Sequence, residues 1–271
     1  MTDSLPKLAA LLLALTLPAA AYAELQPYSA RYSVYRNGKL IGMAELEVRQ
    51  EGERWAIVSE VSGTHGLARL IQARDEERVI GHIQDGRFRP DRYERDTRHL
   101  GMRDEWLATF DWDRQSVTVV HGDNQFELPH EGRALDPLSL KLEMRRRLRA
   151  AGPEPDAADA ILDFPNLNFM MLEEDEIEAQ RFRMLRKERL ETSLGCLDTL
   201  PVEKIRENST RFTRAWHAPE LDYIAVRLEH GKVGGDQMEM RISELTLNGD
   251  AVQPSAGCAA IQSTRAGVGS H

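Results

Sequence analysis

Residues 28–48 read YSARYSVYRNGKLIGMAELEV, and this stretch decides the fold class. Apolar residues at every second position from Tyr28 to Val34 alternate with polar ones, the period of a strand with one buried face. Asn37-Gly38 follows, and this dipeptide favours a two-residue hairpin turn because both residues tolerate positive φ. Alternation then resumes from Leu40 to Val48. The stretch predicts an antiparallel β-hairpin.

The same two-residue period recurs along most of the chain, between short turn signals rich in Gly, Asp and Asn. It predicts further strands near 54–61, 75–84, 91–98, 104–112, 115–121, 124–128, 181–192, 202–206, 211–216, 223–228 and 238–247. Within the last of these strands the apolar residues change from even-numbered to odd-numbered positions, which predicts a β-bulge near Ser243-Glu244. The overall pattern is a meander of antiparallel hairpins.

One helix interrupts the meander. Asp136 suits an N-cap, Pro137 suits the first helical position, and Gly152-Pro153 would stop the helix. Leucines between them supply an apolar face that could cover one face of the sheet. We expect a single β-rich domain over residues 24–253, with the segment near 150–160 joining two sub-halves.

Composition limits the functional classes. The chain has 271 residues, 35 Lys and Arg against 44 Asp and Glu, and a formal net charge of −9. An acidic chain without a basic tail argues against general nucleic-acid binding. Two cysteines exclude a cysteine-rich disulfide scaffold and a zinc site made of cysteines alone.

The N-terminus has the pattern of a secretory signal peptide. Lys7 precedes an apolar run from Leu8 to Leu17, and Ala21-Tyr22-Ala23 forms an A-x-A cleavage site. The run is shorter than the ~20 residues that a spanning helix needs. The alternative is a buried N-terminal helix. We predict a signal peptide over residues 1–23, cleavage after Ala23 and export of the mature chain.

Export would place Cys196 and Cys258 in an oxidising compartment, where disulfides form and persist. A bond between Cys196 and Cys258 would close a loop of 62 residues and contribute roughly 4 kcal/mol in the chain-entropy model. The alternative is two unpaired thiols. Residues 254–271 are small and polar, which predicts a disordered tail.

No catalytic or metal-binding motif stands out. Asp111 and Asp113 could form an acid/base pair, but their setting is typical of a hairpin turn. The acidic run Glu173–Glu176 could attract calcium, but it lacks EF-hand spacing and is more typical of a solvated loop. His65, between glycines, could belong to a binding loop or to an ordinary turn. His130-Glu131 lacks the second histidine of a zincin. We predict no catalytic residue, metal or cofactor.

Four motifs together resemble a family of exported bacterial proteins, the domain of unknown function numbered 3108, over roughly residues 26–248. The motifs are Tyr28-x-x-x-Tyr32-x-Val34 leading to Gly38-x-x-x-Gly42-x-Ala44, Asp136-Pro137-Leu138-Ser139, Thr192-Ser193-Leu194-Gly195 and Trp216-His217-Ala218-Pro219-Glu220-Leu221-Asp222-Tyr223. The resemblance implies a periplasmic, mainly β protein with one main helix. It also implies a strongly curved antiparallel sheet, as a half-barrel or open barrel, similar to lipoprotein and lipid carriers of the Gram-negative envelope. It implies no catalytic residues.

Two candidate surfaces follow. A curved sheet exposes an apolar concave face unless a helix or ligand covers it, and the residues expected to hold a hydrophobic ligand there are Leu46, Val48, Phe212, Trp216, Met238 and Met240. A filled core would produce the same pattern. The basic helix end could contact an anionic headgroup or acidic partner, or be solvated and balanced by the helix dipole; its residues are Lys141, Arg145, Arg146 and Arg149.

The function expected from these features is non-enzymatic binding of a lipid or lipoprotein in the periplasm, in cell-envelope maintenance. The alternative is an envelope scaffold or assembly factor that binds a protein partner through a sheet edge or the basic helix. A hydrolase of an envelope polymer comes third. We expect no nucleic-acid partner and at most a peripheral association with the membrane.

The first prediction concerns the N-terminus. When the chain is produced in a Gram-negative host, we expect the periplasmic fraction to contain protein that begins at Glu24, because signal peptidase recognises the A-x-A site. Intact mass and N-terminal sequencing measure this directly. Exported protein that keeps residues 1–23 would contradict it, and Ala23→Leu, which blocks the site, is the control.

Overall fold

The computed structural model describes residues 25–152 and 167–258. Three predicted segments lie at least partly outside these ranges: the signal peptide, residues 153–160 of the join between the sub-halves, and residues 259–271 of the tail. The strands are β1 (Tyr28–Arg36), β2 (Lys39–Glu51), β3 (Arg54–Gly63), β4 (Arg74–Gln84), β5 (Arg87–His99), β6 (Met102–Asp111), β7 (Ser116–His121), β8 (Asn124–Pro129), β9 (Ala134–Leu135), β10 (Asn168–Glu173), β11 (Glu176–Met184), β12 (Glu188–Thr192), β13 (Gly195–Lys204), β14 (Arg211–Ala218), β15 (Ile224–Lys232), β16 (Gln237–Leu247) and β17 (Asp250–Ala251). The helices are α1 (Gly66–Leu70), α2 (Ser139–Ala151) and a 3₁₀ turn, Pro219–Leu221.

Strand β1 lies at the centre of one large open sheet and pairs with β2 on one side and β16 on the other. From β2 the sheet continues through consecutive hairpins to β8. From β16 it continues back through β15, β14 and β13 to β11 and β10. All pairings are antiparallel except that of β9 with β10. The predicted fold class, a mainly β open antiparallel sheet with one main helix, is confirmed.

The β1–β2 hairpin has the local structure expected from its sequence. Asn37 and Gly38 have φ values of 50° and 74°, the paired positive φ of a type I′ turn. Apolar residues at every second position of β1 are buried. The register of β1 against β16 shifts so that Ser243 is the extra residue. This confirms the bulge predicted near Ser243-Glu244.

Helix α2 begins and ends where its sequence signals lie. The Asp136 carboxylate accepts hydrogen bonds from the backbone N–H groups of Leu138 and Ser139, at 2.9 and 3.0 Å, and so satisfies donors that the first turn leaves free. At the other end Gly152 has a φ of +74°. The left-handed region favours glycine, so the helix stops there.

The sheet wraps around α2, and the helix fills the interior. On one side Leu138 and Leu142 join the main core formed by β1–β7 and β14–β16. On another side Met144 and Leu148 pack in a second cluster with residues of β10, β11 and β13. The concave face of the sheet is therefore covered by the chain's own helix.

Arg145 fixes the helix inside the sheet. Its side chain is 2% exposed, and its Nη2 lies 2.5 Å from Oδ2 of Asp222. Arg145 also donates to the carbonyl oxygens of Asp222, at 3.1 Å, and Gln26, at 3.3 Å, and its guanidinium lies over the Tyr28 ring. Arg149 contacts the other carboxylate oxygen of Asp222 at 3.0 Å. One carboxylate thus ties α2 to the turn before β15 and to the residues before β1.

A disulfide bond joins Cys196 of β13 to Cys258, with their Cα atoms 4.7 Å apart. Two backbone hydrogen bonds run beside it, from Ser255 N–H to the Leu194 carbonyl and from Cys196 N–H to the Ala256 carbonyl. Residues 254–258, the described part of the predicted tail, are therefore attached to the β12–β13 hairpin.

Within residues 25–152 and 167–258, no helix combines the length and the apolar character needed to cross a membrane.

The second prediction concerns the buried ion pair. We expect Asp222→Asn to lower the free energy of unfolding by about 3 kcal/mol, because it leaves the Arg145 charge buried without its partner. Asparagine retains the size and the tolerance for the left-handed backbone that Asp222 adopts, with φ 53°. Urea titration followed by tryptophan fluorescence measures the change.

The control is Glu244→Gln, which breaks the exposed pair of Arg31 and Glu244 and should cost no more than about 1 kcal/mol. Adding Arg145→Met to Asp222→Asn should recover part of the loss, since the orphaned charge is then removed. Equal stability of Asp222→Asn and the parent protein would contradict the role assigned to this pair.

The third prediction is a pH dependence caused by His217. Its Nδ1 donates to the Tyr223 carbonyl at 2.8 Å, and burial lowers the pKa of the imidazole from 6.5 to about 4. Below pH 6.5 His217 therefore binds a proton in the unfolded chain, whereas in the folded protein it stays neutral until the pH falls to about 4. The resulting loss of stability across this window is about 3 kcal/mol, at ~1.4 kcal/mol per pKa unit.

His217→Asn retains a donor for the Tyr223 carbonyl but does not titrate. Between pH 7 and pH 4 we expect the parent protein to lose about 3 kcal/mol more unfolding free energy than the variant does, because only the parent protein has the titrating imidazole. Parallel pH profiles would contradict the prediction.

Candidate functional site

A cavity of about 630 Å³ opens beside the C-terminal half of α2. Its walls come from α2, from the start of β5, from Trp112 and from the chain around β9, β10 and β11. The volume is within the ~300–1,000 Å³ typical of small-molecule sites. Along α2 the lining positions are 143, 146, 147, 148, 150 and 151. The spacing of three and four residues places all of these except 148 on one helix face.

The cavity wall is strongly basic. Among the described residues that line it, Glu143 is the only acid, whereas five arginines contribute to the wall: Arg87, Arg89, Arg133, Arg146 and Arg147. This excess of cations stands against a chain whose formal net charge is −9. A concave surface lined by one sign of charge concentrates ligands of the opposite sign.

Glu143 holds two of the arginines in place. Its carboxylate is 4% exposed and lies 2.6 Å from Nη2 of Arg146 and 3.1 Å from Nε of Arg147. Burial lowers the pKa of Arg147, and the neighbouring Glu143 offsets part of that effect. The guanidinium stays protonated at physiological pH. One carboxylate serves two cations, so a net positive charge remains for an anionic ligand.

Aromatic rings support the guanidinium groups. Arg147 lies 4.0 Å from the centroid of the Phe169 ring, and Arg89 lies 5.0 Å from that of Trp112. The Trp112 indole donates to the Pro90 carbonyl at 2.8 Å, which fixes its ring. Cation–π contacts of this kind orient planar arginines against a wall.

Apart from Asn168, the remaining wall is apolar. Its large side chains are Phe88, Trp112, Leu135, Leu148, Leu167, Phe169, Met170 and Met184. Methionine and aromatic side chains adapt to irregular apolar ligands. The cavity therefore combines anion-binding groups with a surface that accepts a hydrocarbon chain.

The sheet face predicted to hold a ligand is filled instead. Leu46 and Val48 are 8% and 4% exposed and belong to the main core, together with Leu138 and Leu142 of α2. Both side chains pack in the core and do not line the cavity beside α2. Ligand binding at Leu46 and Val48 stays a prediction.

The other four predicted ligand-binding residues divide between the two faces of the sheet. Met238 and Met240 lie opposite even-numbered positions of β15, whereas Phe212 and Trp216 lie opposite odd-numbered ones. Directly opposed residues in an antiparallel pair share a face, and neighbours alternate. The structure therefore does not bring these four side chains into one site.

The predicted anionic-contact cluster is also divided. Arg145 is buried in its pair with Asp222, so it does not lie on the surface where the sequence analysis places it. Arg149 contacts the same carboxylate, and Lys141 is half-buried. Arg146 lines the cavity and is the one member that the structure places at the candidate site.

The remaining sequence candidates have local roles. The Asp111 carboxylate accepts a hydrogen bond from the Arg114 N–H at 2.8 Å, the arrangement of a hairpin turn. Glu173–Glu176 are exposed at the β10–β11 turn. His65 is exposed, with its ring 2.8 Å from the Thr64 hydroxyl. None of these groups lines the cavity.

One group of side chains of metal-ligand type occurs in the described chain: Glu191, Cys196 and Cys258. Both sulfur atoms belong to the disulfide bond, and the Glu191 carboxylate accepts the Cys258 N–H at 2.7 Å. These contacts account for the cluster without a metal.

Of the five arginines that line the cavity, the sequence predicted only Arg146 as a contact residue. Arg147 is part of the basic run on α2, and its position one residue from Arg146 was the only local signal. Arg87, Arg89 and Arg133 come from strand and turn segments outside that run. Only the folding of the sheet around α2 brings these separate arginines together, so no spacing along the chain could reveal them.

One solved structure supports the fold. A crystal structure of the beta-barrel-like protein of domain of unknown function DUF1849 from Brucella abortus matches with a TM-score of 0.50 at 11% identity, over 82% of this chain and 98% of that one. A protein described as a "putative lipoprotein" from Parabacteroides distasonis matches with a TM-score of 0.34 at 12% identity, over 82% and 95% of the two chains. No curated protein matches the sequence.

The family comparison covers most of the described chain. The family model described as "Protein of unknown function (DUF3108)" matches residues 31–241, a range that includes most of β1, all of α2 and the lining arginines of the cavity. The match confirms the resemblance drawn from the four sequence motifs, and the chain belongs to the DUF3108 family.

Proposed function

We propose that the protein is a non-enzymatic binding protein for an acidic amphiphile, with the cavity beside α2 as its binding site. The observation that carries the proposal is the combination of five arginines with an apolar wall in one cavity of about 630 Å³. A lipid, or the acylated end of a lipoprotein, offers the matching pair of an anionic group and a hydrocarbon chain.

The anionic group would contact Arg87 and Arg133. Arg87 forms no ion pair with a described residue, and Arg133 makes only a loose contact of 3.7 Å with Glu131. Their N–H groups can therefore exchange water for a carboxylate or phosphate without breaking a strong internal pair. The hydrocarbon chain would lie against Phe169, Met170 and Met184.

We further propose that the protein works in the periplasm in cell-envelope maintenance. The A-x-A site after a short apolar run supports export, and the Cys196–Cys258 bond suits an oxidising compartment. Lipids and lipoproteins are the acidic amphiphiles that a periplasmic protein meets.

The fourth prediction tests the headgroup. A fluorescent fatty acid and the fatty alcohol of the same chain differ only in the carboxylate. We expect the acid to bind at least tenfold more tightly, since a charge-assisted hydrogen bond contributes about 1.5–3 kcal/mol. In Arg87→Gln/Arg133→Gln this preference should shrink about tenfold, with alcohol binding unchanged. Fluorescence titration measures both ligands.

The matched control is Arg49→Gln/Arg54→Gln, which makes the same change in net charge at two exposed arginines outside the cavity. Its preference for the acid should equal that of the parent protein. Equal affinity for acid and alcohol, or an unchanged preference in the cavity variant, would disprove the proposed headgroup site. Mass spectra of protein purified without detergent should also show a bound acidic lipid.

A protein-binding scaffold is the second candidate, and one observation favours it. Strand β8 pairs with β7 on one side, and no described strand pairs with its other side. An extended peptide could add to this free edge. A stoichiometric protein partner that binds Arg87→Gln/Arg133→Gln as well as the parent protein would favour the scaffold over the amphiphile carrier.

A further inference from the structure

Large apolar side chains are exposed at one edge of the sheet, here meaning the row of strand ends and the turns that connect them. In the described chain eight such side chains are exposed, and seven of them lie on or beside the turns at this edge; the eighth is Ile80, in the middle of β4. The most exposed group is here called the apolar rim and comprises Leu67, Leu70, Leu100 and Met102, which are 70%, 79%, 67% and 57% exposed.

Backbone hydrogen bonds join the turns into one surface. The Leu100 N–H donates to the Ile71 carbonyl at 3.0 Å, which places the β5–β6 turn beside α1. The His65 N–H donates to the Ile41 carbonyl at 3.1 Å, which places α1 beside β2. The apolar rim is therefore continuous, although its residues come from separate parts of the chain.

Helix α1 points outward. It has five residues, none of which is buried, so Leu67 and Leu70 contribute nothing to the core. A short helix held at a sheet edge only by its backbone, with two leucines in water, has the character of an interaction surface rather than of a packing element.

The charges beside the apolar rim are arranged in two rows. Arg74, Arg98 and Arg103 are directly opposed on β4, β5 and β6 at the strand ends, and we call them the arginine row. The next opposed positions inward on the same face are acidic: Glu76, Asp96 and Glu105. The outermost charges at this edge are therefore positive.

Two further cations lie at the same edge. Arg69 is on α1 between the two leucines, and Lys39 begins β2. Neither forms an ion pair within residues 25–152 and 167–258. The arginine row itself is ion-paired, Arg74 with Glu60 and both Arg98 and Arg103 with Asp96. Apolar side chains that protrude beside two unpaired cations and this row match a surface with negative charge outside and hydrocarbon beneath.

We propose that the apolar rim docks the protein on the surface of an anionic lipid bilayer. Leu67, Leu70, Leu100 and Met102 enter the interfacial layer, while Arg69 and the arginine row contact lipid phosphates. Leu67, Leu70 and Leu100 protrude from the turns, whereas Met102 and the arginine row line a pocket beside them. Protruding apolar side chains suit a fluid surface. The rim shares no residue with the ligand cavity.

The fifth prediction tests this docking by co-sedimentation with vesicles of phosphatidylethanolamine and phosphatidylglycerol. We expect Leu67→Ser/Leu70→Ser to lose affinity about tenfold or more, since membrane binding scales with buried apolar area. Ile80→Ser, an exposed apolar residue away from the rim, is the matched control and should bind like the parent protein. Binding should weaken with added salt and on phosphatidylcholine vesicles.

All variants are purified identically, and intact mass establishes that they share one N-terminus, so differences arise from the substitutions. An unfolding temperature equal to that of the parent protein establishes that the rim variant is folded. No sedimentation of the parent protein, or equal sedimentation of the rim variant, would overturn the proposal. It would also be overturned if light scattering showed a parent dimer that the rim variant dissociates, because a second copy would then be the occupant.

Retained vesicle binding by Arg87→Gln/Arg133→Gln would support two separate surfaces. A loss of vesicle binding in that variant equal to the loss in the rim variant would overturn docking through the rim.

Discussion

The interior of the sheet has to be filled, and a single helix fills it. This constraint brings charged side chains into the core, because α2 is surrounded on several sides and has no face left entirely to solvent. A buried guanidinium is costly unless it is paired and hydrogen-bonded. The contacts of Arg145 with Asp222 and with the Gln26 carbonyl meet that requirement for Nε and Nη2, whereas Nη1 is buried without a hydrogen-bond partner among the described residues. The same contacts set the position of the helix relative to the central strand.

The position of α2 also determines where a ligand can enter. Its N-terminal half packs into the main core through Leu138 and Leu142, which leaves no room against the central strands. Its C-terminal half carries Ala150 and Ala151 toward the cavity, and these small side chains leave space. The position of α2 thus explains both the filled core at its N-terminal end and the cavity at its C-terminal end.

Local features of the fold were predictable, and long-range ones were not. The Asn37-Gly38 turn, the bulge at Ser243 and the Asp136 cap each depend on a few adjacent residues, so the sequence predicts them correctly. The burial of Arg145 depends on Asp222, 77 residues away, and an arginine in a basic run gives no sign of it. The cavity depends on arginines from three segments. Alternation along Phe212 to Trp216 marks a strand but not which of its faces is inside.

The central position of β1 has a consequence for the order of events during synthesis. Its two neighbours are β2, which follows at once, and β16, whose residues are made more than 200 positions later. The middle of the sheet cannot be completed until nearly the whole polypeptide has left the ribosome. Contacts so distant along the chain form slowly. The unfinished chain therefore remains open for longer, and under the proposed export this delay would meet the need of a translocation channel for an unfolded polypeptide.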